Sequence, residues 1–328
     1  MNLHEDKDAF RELITYTAGT LNVPEVYVEK DYWITRILRF LSNSEFRDDF
    51  IFKGGTSLAK AFNLINRFSE DVDLALFNRT GLSSNQLKNR MKAAQKAITQ
   101  DLKEISRAGE SKRGTFRKVY FEFPRIVEGG FGHASDVILL ETNAFTDPEP
   151  FSLMPVRTLI ADFLEKTERS DLIEQFGLDA FDINVLDIRR TTAEKILGLI
   201  KASRSESPDQ AISDKIRHVY DLCMIKRSDE TGLFSSGTLH ELIKVVVDSD
   251  REQFKEKATW LDEPLHESPL FAQAEDLWKD YSQHFKNGFA EMVYDNDIPD
   301  DTEVIAMLSA VAALLRTMSY SSVSAVAQ

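Results

Sequence analysis

The sequence predicts an α+β fold, a small mixed sheet with flanking helices followed by a mostly helical C-terminal domain. Three observations carry this. Phe50 to Leu76 reads as strand, glycine turn, helix, loop and second strand; residues 116–123 and 136–143 alternate or run apolar as strands do; and beyond Pro150 strand signals become scarce while helical spacing dominates. The segment T-D-P-E-P at 146–150, with Pro155 after it, punctuates the chain and places a boundary between a domain at 1–150 and a helical domain at 151–328.

With 328 residues the chain can bury the cores of two modest domains, and its 42% hydrophobic content is that of an ordinary globule. No stretch approaches the roughly 18 apolar residues of a membrane span. The N-terminus, M-N-L-H-E-D-K-D, lacks the basic and apolar regions of a signal peptide, so a cytoplasmic location is expected. The single cysteine, Cys223, excludes an internal disulfide framework and a cysteine-rich zinc site, and its apolar neighbours make it a core residue. A net charge of −14 argues against a nonspecific nucleic-acid coat while leaving room for a local basic groove.

Taken in order, residues 6–20 and 24–41 have helical periodicity, the second with Pro24 near its start and a stripe of Val26, Trp33, Ile34, Ile37, Leu38 and Leu41. Phe50 to Phe52 are β-prone and Gly54 and Gly55 break the strand. Thr56 or Ser57 can cap a short helix carrying Leu58, Ala61, Phe62 and Ile65. The period then changes to two, so Asp71 and Asp73 face one side while Val72 and Leu74 face the other. Two such carboxylates suit Mg²⁺, which takes one or two protein carboxylates and completes its shell with phosphates and water. The amides after Gly54 and Gly55, at a helix N-terminus, suit the phosphates.

G-G-T-S-L at 54–58 followed by S-E-D-V-D-L at 69–74 resembles the signature of the polymerase-β-like nucleotidyltransferase superfamily. V-E-K-D-Y-W, Val28 to Trp33, is similar to a motif that precedes the glycine turn in AbiEii-type toxins, the nucleotidyltransferases of type IV toxin–antitoxin systems, a family that includes the MenT toxins. On their own Lys30 and Asp31 read as a solvated helix face; the resemblance gives them a structural role.

Residues 83–108 read as one amphipathic helix. A basic run follows, Arg107, Lys112, Arg113, Arg117 and Lys118, which reads either as a solvated loop or as a surface for acceptor or nucleotide phosphates. In the strand beyond it Val119, Phe121 and Phe123 share one side, Lys118, Tyr120 and Glu122 the other. The superfamily places a third acid in the next strand, which the resemblance assigns to Glu141, with Asp136 as the alternative. Residues 157–176 look helical and Phe181 to Leu186 extended. Thr191 with Glu194 forms a capping-box pattern that starts a helix, placing Lys195 in its first turns, and Ser213 caps the next. In that helix Arg217 and Asp221 can pair at i, i+4, and His218 reads as structural. The resemblance instead makes Lys195 a partner of the nucleotide phosphates and Asp221 an active-site aspartate.

Together the resemblance implies an enzyme that transfers NMP from an NTP, with Mg²⁺ (or Mn²⁺) on Asp71 and Asp73, phosphates on Gly54, Gly55, Thr56 and Ser57, and Lys195, Asp221 and Glu141 completing the site. It further implies the tRNA 3′ end as acceptor, arrest of translation and a cognate antitoxin. Lys53 before the glycines and Glu70 before Asp71 are departures, the second adding negative charge where phosphates approach. Two other readings stay open, a nucleotidyltransferase acting on a small molecule or protein, and a non-catalytic partner-binding module.

Overall fold

The computed structural model describes residues 1–318 apart from 133, 146, 230, 231, 236, 295 and 296. Its elements, in chain order, are α1 (Lys7–Leu21), α2 (Glu25–Ser42), β1 (Phe50–Lys53), α3 (Gly54–Lys60), β2 (Asp71–Leu76), α4 (Ser84–Ile98), β3 (Lys103–Ile105), β4 (Ser111–Arg113), β5 (Phe116–Glu122), β6 (Ile138–Asn143), β7 (Phe151–Val156), α5 (Leu159–Lys166), α6 (Ser170–Phe176) and β8 (Phe181–Leu186). They continue with α7 (Ile188–Ser203), α8 (Pro208–Asp214), α9 (Ile216–Arg227), α10 (Gly237–Phe254), α11 (Pro269–Ala272), α12 (Ala274–Asn287) and α13 (Asp301–Thr317). The chain divides into two compact units, Met1–Ile188 with Glu291–Asp297, and Arg189–Ala290 with Ile298–Gln328.

The first unit is built on one eight-stranded sheet in the order β3-β5-β6-β2-β1-β8-β7, with β4 also pairing β5. It is mixed: β1 runs antiparallel to β2 and parallel to β8, and β2 runs parallel to β6. One face carries Phe50, Phe52, Val72, Leu74, Val119, Phe121, Ile138 and Leu140, all buried in a core shared with α1, α2 and α4. That core explains why α2 is so apolar, since it packs against α1, α4, α5 and β8 at once.

Two expectations about segments need correcting. The helix expected at 83–108 ends at Ile98, where Thr99 turns its hydroxyl onto the Gln95 carbonyl, and residues after it join the sheet as β3. The helix expected at 157–176 is broken into α5 and α6 by a turn in which Glu168 takes φ 58°. The boundary expected at 150/151 also moves. β7 follows that punctuation directly and pairs antiparallel with β8 from Phe151 to Val156, so the sheet unit runs on to Ile188. Residues 291–297 rejoin this unit because Phe68 N–H donates to the Met292 carbonyl at 2.7 Å and Tyr294 N–H to that of Asn66 at 2.6 Å.

The second unit is helical, and α13 packs against α9, α11 and α12. Asp300 caps α13 with Glu303 in a capping box, while Arg227 on α9 pairs with Glu303 at 2.7 Å. Asp301 accepts from the indole of Trp278 at 2.9 Å and the hydroxyl of Ser282 at 2.6 Å on α12. The helix starts expected at Thr191 and Ser213 lie elsewhere: α7 begins at Ile188, and α9 follows Lys215 after the separate helix α8. No helix among the described residues is long and apolar enough to cross a membrane.

Cys223 lies buried in α9, as expected, and burial pushes its thiol up to about 12. The thiolate is the reactive form. The native protein should therefore resist a thiol–disulfide reagent at pH 8 and take up one equivalent when unfolded; fast labelling of the native protein would contradict this packing.

Candidate active site

The hairpin of β1 and β2 sets the site. Its register places Lys53 opposite Asp73 and Phe52 opposite Leu74, so the turn that leaves β1 begins beside the second aspartate. Gly54 adopts φ +81°, a left-handed conformation that L side chains rarely take. A Cβ there would stand 3.0 Å from Asp73 Cγ and nearer still to its carboxylate oxygen. A Cβ on Gly55 would meet the Arg67 guanidinium and lie 3.1 Å from Ser69 Oγ. The two glycines are thus required by contact as well as by conformation.

α3 starts at Gly54 with Lys53 at its N-cap, one turn earlier than a Thr56 or Ser57 cap would place it. Both hydroxyls are buried and used locally. Thr56 donates to the backbone carbonyl of Asp71 and shares a hydrogen bond with Ser69 at 2.8 Å, and Ser57 donates to the Gly54 carbonyl at 2.9 Å. They brace the turn onto the start of β2, which leaves backbone N–H groups as the phosphate-facing chemistry of a helix start.

Asp71 and Asp73 are half-buried on one face of β2, while Val72 and Leu74 enter the core. β6 lies parallel to β2 with Glu141 level with Asp73 and Leu139 level with Asp71. Glu141 is therefore the acid that the sheet brings beside the pair. Asp136 precedes β6 and forms an exposed ion pair with Arg107 at 3.0 Å. Two hard carboxylates on one strand face fit a Mg²⁺-like ion. Among the described residues no group of three or more His, Cys, Asp or Glu side chains is gathered as a metal cage.

Behind the site, three consecutive charges on α2 are buried, and each holds a different segment. Glu29 accepts from the Ile126 and Val127 amides at 2.6 and 3.4 Å, and burial pushes its carboxyl up despite them. Lys30, fully buried, pairs with Glu70 at 3.2 Å and donates to the Ser135 carbonyl at 2.8 Å, with the Phe68 and Phe131 rings beside it. Burial pushes its ammonium down, while Glu70 and Asp71 oppose the shift. Asp31 pairs with Lys60 of α3 at 2.5 Å and accepts from the Leu159 amide at 2.9 Å. Glu70, which the sequence left as unfavourable charge in the phosphate path, is neutralised inside this network. A cavity of about 250 Å³ opens beside α3, lined by Thr56, Lys60, Arg67, Ser69, Arg157 and Asp162 among others; Asp71, Asp73 and Glu141 do not border it.

In the helical unit, Lys195 of α7 and Asp221 of α9 form a buried pair at 2.7 Å. Asp221 thus has a buried cationic partner on a neighbouring helix. Since α7 begins at Ile188, Lys195 lies beyond its second turn, where its ammonium donates to the Asp221 carboxylate. Gly198 gives His218 room, since a Cβ there would lie 3.1 Å from the imidazole.

The family model described as nucleotidyl transferase AbiEii toxin, type IV toxin–antitoxin system, matches residues 36–306. The chain belongs to this family. It is a nucleotidyltransferase of the AbiEii toxin family, which implies an NTP substrate, a divalent metal and an antitoxin partner. Among solved structures, MenT4, a nucleotidyltransferase toxin from Mycobacterium tuberculosis H37Rv, is similar over 94% of this chain and 90% of that one, at 18% identity and TM-score 0.58. This likeness shows the fold. A candidate nucleotidyltransferase from H. pylori aligns over 89% of this chain and 96% of that one, at 15% identity and TM-score 0.48. No curated protein matches.

Two outcomes follow for this AbiEii-family chain. Lys30→Met should cost about 3–5 kcal/mol in denaturant unfolding by stranding Glu70, and the Lys30→Met/Glu70→Met double variant should recover much of it; additive losses would show that the pair is not coupled. Gly54→Ala should fold yet bind NTP at least about tenfold more weakly, a loss of roughly 1.4 kcal/mol. Unaltered affinity in a titration would contradict the contact with Asp73.

Proposed function

We propose that this chain is a Mg²⁺-dependent toxin that transfers NMP from an NTP to an RNA acceptor, the tRNA 3′ end, and so blocks translation in the cytoplasm, with a cognate antitoxin controlling it. The observation that carries the reading is the packing of the Gly54 turn against Asp73, which sets the amides of a helix start beside a pair of carboxylates. The family and the likeness of the motifs to AbiEii-type toxins support it.

In this mechanism Asp71 and Asp73 hold the ion, which when bound offsets charge on the triphosphate. The amides at Gly54 and Gly55 orient the phosphates, and the resemblance to AbiEii-type proteins gives Lys195, paired with Asp221 in the helical unit, the role of neutralising them. The acceptor hydroxyl oxygen bonds to the α-phosphorus as the α–β phosphoanhydride bond breaks, pyrophosphate leaves, and Glu141 takes the hydroxyl proton. The work of the protein is positioning and electrostatics. Manganese, a hard ion of similar chemistry, would serve the same carboxylates.

Purified protein incubated with Mg²⁺, total tRNA and each labelled NTP in turn should label tRNA, and the Asp71→Ala/Asp73→Ala variant should fold and lose that label. Label appearing on a small molecule or protein would replace the RNA acceptor. Absence of NTP binding would leave a partner-binding module.

A further inference from the structure

The register across the sheet extends the carboxylate face to strands that no role has been given. Lys118 on β5 is level with Glu141, which is level with Asp73, which is level with Lys53, so four charged side chains form one row. The next row holds Tyr120, Leu139 and Asp71. On the other side Phe116 is level with Asn143 of β6 and with Arg113 of β4. Residues two apart on a strand share a face, so Phe116, Lys118 and Tyr120 all stand on the face of the metal carboxylates. All three are half-buried, whereas Val119 and Phe121 fill the core behind.

Parity also sorts the basic run. Arg117, on the core side, is buried and donates to the Gln95 carboxamide at 2.9 and 2.6 Å. Lys112, level with Arg117, pairs with Glu104 at 2.7 Å and with Glu110. Arg107 is held by Asp136. Among the described residues Arg113 and Lys118 have no such partner, and both lie on the carboxylate face. Their neighbours there are aromatic: Phe116 stacks on Phe145, centroids 5.7 Å apart and planes at 21°, with Phe145 37% exposed, and Tyr120 is tethered through its hydroxyl to the Ala108 carbonyl at 3.3 Å.

We propose that this β4–β5–β6 face is the acceptor platform, and that it takes the single-stranded 3′ end of an RNA. Lys118 and Arg113 contact backbone phosphates, Tyr120 and the Phe116–Phe145 pair stack unpaired bases, and the terminal hydroxyl is delivered to Glu141 one strand inward. Cations with half-buried rings on a sheet face are the chemistry of single-strand binding, because every base offers a π-face and every linkage a charge. A chain of net charge −14 can still hold RNA through a local basic patch, and Arg113 and Lys118 supply one beside the acceptor's hydroxyl site. The assignment rests on the nucleotidyltransfer reading above and adds to it the residues that choose the acceptor.

The test is fluorescence anisotropy of a labelled single-stranded RNA oligonucleotide on the full chain, with NTP affinity measured in parallel. Lys118→Ala and Arg113→Ala should each lower the slope of log affinity against log salt by about one. Tyr120→Ala should weaken RNA binding by roughly fivefold to a hundredfold. NTP affinity should hold in all three, and Lys112→Ala, on the opposite face, should bind RNA as wild type does. Lys118→Gln, which keeps the length of the chain, guards against an effect of lost packing and should behave as Lys118→Ala. RNA binding that survives these changes, or falls equally in Lys112→Ala, overturns the platform while leaving RNA labelling by the wild type intact. A wild type that binds NTP but neither binds nor labels RNA overturns the acceptor reading itself, and the platform with it.

Discussion

The contact between Gly54 and Asp73 is the constraint on which the rest of the structure depends. A backbone turn at φ +81° is laid directly against a carboxylate, with no room for even a methyl group between them. Everything nearby keeps the two in register. β1 and β2 pair as a hairpin, Thr56 ties the turn to the carbonyl of Asp71, and Arg67 closes over Gly55 from the loop that joins α3 to β2. That loop is itself fixed by the return of residues 291–297, which hydrogen-bond to Asn66 and Phe68. A stretch of about one supersecondary unit thus brings the amides of a helix start and a pair of strand carboxylates together.

The buried charges of α2 show how the surrounding loops are held to that stretch. Burying an ammonium and two carboxylates on consecutive residues is costly unless every one is paired and hydrogen-bonded. Lys30 and Asp31 are ion-paired and Glu29 accepts from two backbone amides, each tying α2 to a different segment, so a misplaced segment strands a buried group. Such a network contributes little net stability but penalises alternative arrangements, and it does so within one residue of Asp71, through Glu70. The Lys195–Asp221 pair, with its aspartate fully buried, follows the same logic within the helical unit.

What the sequence made legible was local and periodic. The β1–α3–β2 unit, the shared face of Asp71 and Asp73, and the parity of β5 all follow from side-chain period within one segment. What it concealed depended on pairing across distance. Lys30 looked like a solvated helix residue because its partner is Glu70, forty positions on and after a change of element. Thr191 and Ser213 looked like helix starts because their capping patterns are local, yet α7 begins at Ile188 and Ser213 lies within the separate helix α8. The prolines near 150 marked a turn into β7 and were misread as a domain boundary, because punctuation in a sequence does not say whether the next strand returns to the same sheet. The basic run was open to two readings, and strand parity, visible in the alternation of 116–122, is the signal that separates Arg117 from Lys118.

The most direct test of the account is a crystal structure of the full chain soaked with Mn²⁺ and a non-hydrolysable NTP analogue. The account predicts an anomalous peak between Asp71 and Asp73 and triphosphate oxygens on the amides of Gly54 and Gly55. A nucleotide bound away from the Gly54 turn, or a metal bound away from those carboxylates, would contradict it.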